Sequence, residues 1–208
     1  MKKILKKNTK QKIIDFIIVF IILLLYVFTF IYIYNSFRER KRKEIEKDLL
    51  NKVDKIINEN KDKIEGTPDD AEITYNGFNF TVLGKLIINK INMNVPILKE
   101  NNDKSYNTSV VKMSGPALNE YGNVSIGGHN FMKGNFMIKI MKLKENDVVT
   151  ITDLTGRSIN YYVYEYKKTT IDDASYLVQP DDKKVKIVTL VTCTRGGKER
   201  YYVKARAK

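Results

Sequence analysis

The chain has 208 residues, a net charge of +13, one cysteine and one histidine. A single cysteine cannot form an internal disulfide, and one histidine with one cysteine is too few for a closed zinc site without carboxylate ligands. Residues 1–65 carry 16 Lys and Arg against nine Asp and Glu, so more than half of the positive excess lies in the first third. This placement suits the flanks of a membrane segment. Because no zinc-finger spacing, RNP-type motif or basic recognition helix occurs, we expect no nucleic-acid partner.

An apolar segment follows a basic tail of residues 1–12. Residues 16–34 contain no charge and are nearly all Ile, Leu, Val, Phe or Tyr, which is long enough to span a bilayer as a helix. We therefore predict a transmembrane signal anchor over 13–35. A cleaved signal peptide is the alternative, but its apolar core is usually shorter, and no small-residue cleavage site follows. Six basic residues precede the span and five follow it, so charge alone leaves its orientation open.

Residues 36–66 are predicted to form a helical stalk. Apolar residues recur there every three or four positions among charged ones, which predicts an amphipathic helix. The preferred interpretation is a spacer whose apolar stripe packs on the next domain, while self-association and contact with the membrane surface stay open. Turn-forming residues at 66–70 end the helix and mark a domain over 67–208. The stripe consists of Ile45, Leu49, Val53, Ile56 and Ile57.

Beyond residue 75 the pattern changes to short runs rich in Val, Ile, Thr, Tyr and Phe, separated by turn residues. Runs of this kind are typical of strands. Their number and spacing predict a mainly β fold, a closed or nearly closed antiparallel barrel of about eight strands with short helices, one of them around 134–143. The predicted strands cover residues 78–82, 85–91, 123–126, 147–153, 158–167, 186–193 and 200–205.

The last two predicted strands carry the candidate nucleophile. If they pair antiparallel, Cys193 and Arg200 become cross-strand neighbours with their β-carbons about 5 Å apart. A nearby cation helps to hold a thiol as the reactive thiolate. Arg195 competes for the same role, but it lies in a Gly-Gly turn region where positioning is loose, so we favour Arg200.

His129 is the only candidate imidazole. It follows a predicted strand and two glycines, which permit a sharp turn that presents the ring at the barrel rim. A lone histidine is more often a surface or core residue than a catalytic one, so the turn alone does not assign it a role.

The motifs together resemble those of the sortases, the membrane-anchored cysteine transpeptidases of Gram-positive bacteria. The family's TLxTC strand and the arginine that opens the next strand match TLVTC at 189–193 and RYYV at 200–203, and its histidine motif is similar to GHN at 128–130. The resemblance covers about residues 76–208. It implies a sortase-like barrel, a cytoplasmic N-terminus and an extracellular catalytic domain. Further similarity lies in GKLIINKI at 84–91, NVPI at 94–97, GP at 115–116 and GN at 122–123.

The resemblance also implies roles for the site residues. Cys193 would attack an LPXTG-like sorting signal and form a thioacyl enzyme, His129 would move protons, and Arg200 would hold the oxyanion or the substrate backbone. The acceptor would be a cell-wall peptide amine such as that of a lipid II-like molecule; a pilin lysine, with pilus polymerisation, is the alternative. We expect Thr192, Tyr176 and Leu177 to contact substrate.

Four acidic residues between 169 and 182 could contact calcium, as carboxylates do in some sortases, but a solvated acidic face is the preferred interpretation, and no cofactor or metal is expected. A different class of function stays open. An inactive membrane-tethered β-domain that binds a peptide or wall component would carry the same fold with an unreactive thiol. The four residues are Asp172, Asp173, Asp181 and Asp182.

Overall fold

A computed structural model describes residues 2–60, 70–75, 77–130, 137–194 and 196–208. The chain divides after Lys41 into two compact units. Helix α1 runs over Lys2–Asn60. Within the described residues, one helical stretch, Thr9–Asn60, is long and apolar enough to cross a membrane by length and composition. The large apolar side chains of the predicted anchor are exposed, Phe16 and Tyr26 among them. The predicted boundary at 66–70 lies almost wholly outside the described residues.

The second unit contains a closed β-barrel. Its eight strands follow the order β2-β3-β4-β5-β8-β9-β7-β6, and β6 pairs back onto β2 to close the barrel. Strand β1 lies outside this ring and pairs with the first half of β2. The predicted eight-stranded, mainly β fold with short helices is therefore confirmed. The strands are β1 Ala71–Tyr75, β2 Phe78–Ile88, β3 Met93–Leu98, β4 Val110–Ser114, β5 Gly122–Gly127, β6 Val148–Asp153, β7 Ser158–Thr170, β8 Lys186–Cys193 and β9 Glu199–Ala207.

Two of the strand pairs differ from the predicted antiparallel arrangement. β3 and β4 are parallel, and so are β5 and β8, whereas the other pairs are antiparallel. A parallel pair needs a crossover connection rather than a tight turn. The short helix α2, Asp103–Tyr106, lies in the first crossover, and β6 and β7 are inserted in the second. The second crossover leaves β5 at the end of the barrel where the candidate site lies and enters β8 at the opposite end.

Some strand limits also differ from the sequence prediction. β2 is one strand where two were predicted, because a bulge between Val82 and Gly84 bends it without ending it. Its predicted continuation to residue 91 is instead a 3-10 helix over Asn89–Ile91. β1, β3 and β4 are not among the strands predicted from the residue pattern. The predicted helix around 134–143 corresponds to a 3-10 helix over Met137–Lys142, and residues 134–136 lie outside the described residues.

The stalk stripe packs on the barrel. Leu49, Val53 and Ile57 of α1 are almost wholly buried against a cluster from β1–β4 and the β6–β7 turn. Burial of each such side chain contributes about 1.5–3 kcal/mol. The interpretation of this segment as a helix that packs its stripe on the next domain is confirmed, with residues from Arg42 onward in the same compact unit as the barrel.

Candidate active site

Strand register places His129, Cys193 and Arg200 in one row across three neighbouring strands. Parallel β5 and β8 align Gly127 with Val191, and two further residues along each chain bring His129 level with Cys193. Antiparallel β8 and β9 align Cys193 directly with Arg200. The cross-strand neighbourhood that the sequence predicted for the cysteine and the arginine is confirmed. Arg195 lies outside the described residues.

Hydrogen bonds tie the histidine loop to the end of β8. The Gly128 N–H donates to the Val191 carbonyl at 3.1 Å, and the Thr192 hydroxyl donates to the Gly128 carbonyl at 2.9 Å. The Asn130 amide nitrogen donates to the Cys193 carbonyl at 2.5 Å. These bonds hold the loop on both sides of His129. The Thr192 hydroxyl is used in one of these bonds, and the residue is only 2% exposed. Its role in substrate binding stays a prediction.

Cys193 is a free, partly exposed thiol on the outer face of the barrel. The Thr194 N–H donates to the Glu199 carbonyl beside it, so Cys193 and Arg200 occupy a non-hydrogen-bonded pair, in which facing side chains lie closest. The Arg200 Nε donates to the Ile171 carbonyl at 3.3 Å. This bond ties the Arg200 side chain to the start of the β7–β8 connection.

His129 lies against the end of helix α2. Its ring centroid is 5.4 Å from that of Tyr106, with the two rings tilted by 43°. Burial lowers the pKa of His129 below its ordinary 6.5, and the negative charge of Asp103 on the same helix opposes this shift. Burial also raises the pKa of Tyr106; the charge of Arg200 acts against that shift, and Cys193 adds to it. The ring of Tyr106 therefore contacts the histidine of the row, and the charges at Arg200 and Cys193 act on its hydroxyl.

The β7–β8 connection forms one wall beside the thiol. Tyr176 and Leu177 lie in its 3-10 helix, Ser175–Leu177, and Tyr176 packs on Val191 and Tyr202. The rings of Tyr176 and Tyr202 stack at 5.4 Å. The Tyr176 carbonyl accepts from the Asn123 amide at 2.9 Å, which fixes the wall to β5. Tyr176 is 3% exposed and Leu177 is partly buried, so both side chains belong to the packed interior of this wall. Their contact with substrate stays a prediction.

Comparison with known proteins decides the family. A family model of the sortase domain matches residues 86–208, which is more than half of the chain. The chain belongs to the sortase family. The match includes the whole row of His129, Cys193 and Arg200.

This sortase is similar to several named relatives. Sortase A of Bacillus anthracis is 27% identical over 128 residues, 59% of this chain, and the alignment spans only 58% of that relative's length. The solved structure of a Clostridium perfringens sortase D5 transpeptidase is 29% identical with a TM-score of 0.62 and covers 79% of this chain and 99% of that one. Sortase C1 of Streptococcus agalactiae is 25% identical with a TM-score of 0.56, covering 61% and 67% of the two chains.

The floor of the site in this sortase contains residues that sequence reasoning missed. A bulge in β4 places Met113 between the paired residues Lys112 and Ser114. The Met113 side chain packs against the cluster of Tyr176, Val191 and Tyr202. A β-carbon at Gly127 would lie 2.5 Å from the Met113 sulfur, so a larger residue there would have to displace the flexible Met113 side chain. Tyr106, Asp103 and Asn130 were also missed. Only Asn130 carried a signal, because it follows the histidine in the GHN motif.

Two of the four acidic residues of the β7–β8 connection, Asp173 and Asp182, accept hydrogen bonds from residues close in sequence. Asp173 accepts hydrogen bonds from the Thr169 hydroxyl and the Ser175 N–H, which lower its pKa to about 2. The carboxylate of Asp182 accepts from the Lys184 N–H at 2.8 Å. Within the described part of this sortase, no three His, Cys, Asp or Glu residues group closely enough to hold a metal ion.

Proposed function

We propose that this sortase is a membrane-anchored cysteine transpeptidase. The observation that carries the proposal is the row of His129, Cys193 and Arg200 on adjacent strand ends, with the thiol partly exposed. A cysteine nucleophile needs a proton-transfer partner and a nearby positive charge, and this row supplies both. The alternative of an inactive binding domain calls for a buried, unreactive thiol, and a partly exposed thiol does not favour it.

In the first half-reaction the Cys193 thiolate attacks the carbonyl carbon of the Thr–Gly bond in an LPXTG-like sorting signal. The carbonyl electrons move to oxygen, and Arg200 donates hydrogen bonds to this oxyanion or to the substrate backbone. The C–N bond breaks as the carbonyl re-forms, and imidazolium at His129 gives its proton to the leaving glycine nitrogen. A thioacyl enzyme and a free C-terminal fragment result.

In the second half-reaction an amine of cell-wall peptide attacks the thioester carbonyl. His129 accepts a proton from that amine, and Cys193 leaves as thiolate, so the enzyme returns to its starting state with a new amide bond formed. Water in place of the amine gives hydrolysis as a side reaction. The name of the Clostridium perfringens relative, a transpeptidase, supports transfer as the main outcome.

The surroundings of His129 bear on which protonation state dominates. Because burial lowers the pKa of His129 below 6.5, the neutral imidazole is the majority form at pH 7. The acid form that the leaving group needs is then a minority. The Asp103 carboxylate acts in the opposite direction and enlarges that minority.

We place the catalytic domain outside the cell. The apolar part of α1 supports an anchor, because it is long enough to cross a membrane and its large side chains are exposed. The orientation, with a cytoplasmic N-terminus, follows from the family resemblance rather than from the flanking charges.

The test uses the full chain in detergent micelles and a library of fluorogenic peptides built on LPXTG. Wild-type protein should cleave at least one member and, with triglycine present, should release the ligated product. Cys193→Ala should abolish both reactions, while an unchanged melting temperature shows that the fold is intact. The rate at which a vinyl sulfone alkylates Cys193 gives an independent measure of thiol reactivity.

Cleavage by Cys193→Ala at a substantial rate would exclude the cysteine mechanism. A wild-type protein that cleaves no peptide and whose thiol scarcely reacts would instead favour the inactive binding domain.

A further inference from the structure

The outer face of β7 and β9 carries a row of cations over tyrosine rings. Lys204 and Arg206 occupy successive outward positions of β9, and Lys208 follows the last residue of that strand in the same alternation; the three are here called the β9 cation row. Lys208 lies 4.2 Å from the ring centroid of Tyr162, Arg206 lies 4.9 Å from that of Tyr164, and Lys204 lies 5.9 Å from that of Tyr202. A cation over an aromatic face is held in place by the ring's charge distribution.

A bulge in β7 helps to build this face. The register shifts between Val163 and Glu165, so Tyr164 is an extra residue opposite β9. Val163 points into the barrel and is 1% exposed, whereas Tyr164 is 37% exposed on the outside. Without the bulge, alternation along the strand would leave no ring opposite Arg206 other than Tyr162.

The β9 cation row has no carboxylate partner among the residues that the structure describes. Ion pairs within 4 Å form at other lysines and arginines, such as Lys90 with Asp147, but not at these three residues. The nearest carboxylate by register, Glu165 opposite Lys204, accepts a hydrogen bond from the Tyr202 hydroxyl at 2.5 Å. Three charges spaced about 6.8 Å apart along one strand are therefore available to an anionic ligand.

The row ends at an open cavity of about 450 Å³. Its lining includes Tyr162, Lys186 and Lys208 together with the polar side chains of Ser158 and Asn160, and none of the described residues adds an acidic side chain to it. The Lys186 Nζ donates to the Asn119 carbonyl at 2.6 Å, which fixes this second lysine at the cavity. Two ammonium groups, a hydroxyl and an amide around one concave surface suit a phosphate group.

We propose that the β9 cation row and this cavity form a docking surface for a linear polyanion that repeats a phosphodiester. The three positive charges follow one line at a regular distance, and the successive phosphates of a linear polymer can lie along the same line. A membrane-binding face would instead present Leu, Phe or Trp to enter the acyl chains. Here the large side chains beside the cations are tyrosines, whose rings lie under the charges.

The test measures binding of poly(glycerol phosphate) of defined length to the full chain in neutral detergent micelles, at several salt concentrations. Three contacts of this kind predict affinity on the order of 40-fold weaker at 200 mM than at 50 mM salt. The triple variant Lys204→Gln, Arg206→Gln, Lys208→Gln should weaken binding at least 10-fold and remove most of that salt dependence. The matched control loses the same charge from exposed Lys142, Lys183 and Lys184 and should change affinity less than 3-fold.

A second variant tests the rings. Tyr162→Leu with Tyr164→Leu leaves the charges in place, so the salt dependence should persist while affinity falls about 2- to 5-fold. Near-UV circular dichroism checks that each variant is folded.

Absence of wild-type binding would overturn the proposal, and so would equal losses from the cation-row variant and the matched control, because diffuse positive charge would then suffice. Binding of monomeric dihexanoylphosphatidylglycerol as tightly as the polymer would overturn the linear ligand in favour of a lipid headgroup.

Discussion

The two ends of the barrel use polar groups in opposite ways. At the end where β5 and β8 begin, the buried Asn119 side chain donates to Asp153 at 3.0 Å and to the Arg157 carbonyl at 2.8 Å, and it accepts from the Tyr161 hydroxyl at 3.1 Å. Arg157 completes the network through Asp153 and Glu120. Burial there raises the pKa of Tyr161 to about 12, so the phenol stays a donor.

Nearer the end where β5 and β8 finish, two polar side chains lack partners. The hydroxyls of Ser114 and Ser125, paired across β4 and β5 two residues before the end of β5, are buried with no hydrogen-bond partner among the described residues. Cys193 is a free thiol on the same face. A satisfied polar network contributes stability, whereas buried unpaired groups cost stability, and the partly exposed Cys193 is the group that a substrate can reach. Stability and chemistry are thus separated along the barrel axis.

At the end of the barrel that carries Cys193, the largest effect on activity is expected from substitution of Arg200. Arg200→Ala should lower kcat/KM for the sorting-signal peptide roughly 10²- to 10³-fold, because a donor to the developing oxyanion is lost. Arg195→Ala should cost far less, since Arg200 is the residue that pairs with Cys193 across the two strands. Both variants are compared by peptide-cleavage kinetics. The reverse order would mean that the register does not identify the working arginine.

Asn119 should dominate stability at the other end. Its φ of 64° is left-handed, so Asn119→Gly keeps the backbone unstrained and removes only the amide. We expect a loss of about 2–3 kcal/mol, or a melting temperature about 5–10 °C lower, because buried partners lose their hydrogen bonds.

The matched control for that experiment is Ser125→Ala, which removes a fully buried hydroxyl that makes no hydrogen bond to any described residue. Its melting temperature should change by less than about 2 °C or rise. Thermal unfolding of the full chain in micelles measures both variants. Equal losses would contradict the contrast between the two ends.

A smaller effect is expected from Tyr106. Tyr106→Leu removes the ring beside His129, so cleavage should fall about 10-fold, and the pKa of His129 should rise toward 6.5 as the imidazole becomes more exposed to water. Asp103→Asn should lower that pKa further, because it removes the charge that favours the imidazolium.

Proton NMR can follow this titration directly, since the chain has one histidine, and Cys193→Ala as background removes coupling to the thiol. Tyr106→Phe keeps the ring and should retain both the wild-type rate and the pKa. A leucine variant that titrates like wild type would show that the ring contact does not tune His129.

Much of the fold followed from local pattern. The uncharged run at 16–34, the stripe at Leu49, Val53 and Ile57, and the alternating strands all depend on residues close in sequence, so periodicity was sufficient to predict them. The two parallel pairs were not predictable in this way, because they join segments separated by a crossover, and pattern alone does not encode the direction of a distant partner.

The sequence by itself determined the chemistry that is available: one thiol, one imidazole, an arginine at the next strand's start, and an apolar segment long enough to cross a membrane. Only the tertiary structure decided the row that joins His129, Cys193 and Arg200, because β5 and β8 meet in parallel after 58 intervening residues. It also decided that Tyr106 and Met113 contact the site and that three cations of β9 stand over tyrosines. These contacts come from strand register, bulges and crossovers, and each of those is a property of the assembled sheet rather than of any single segment.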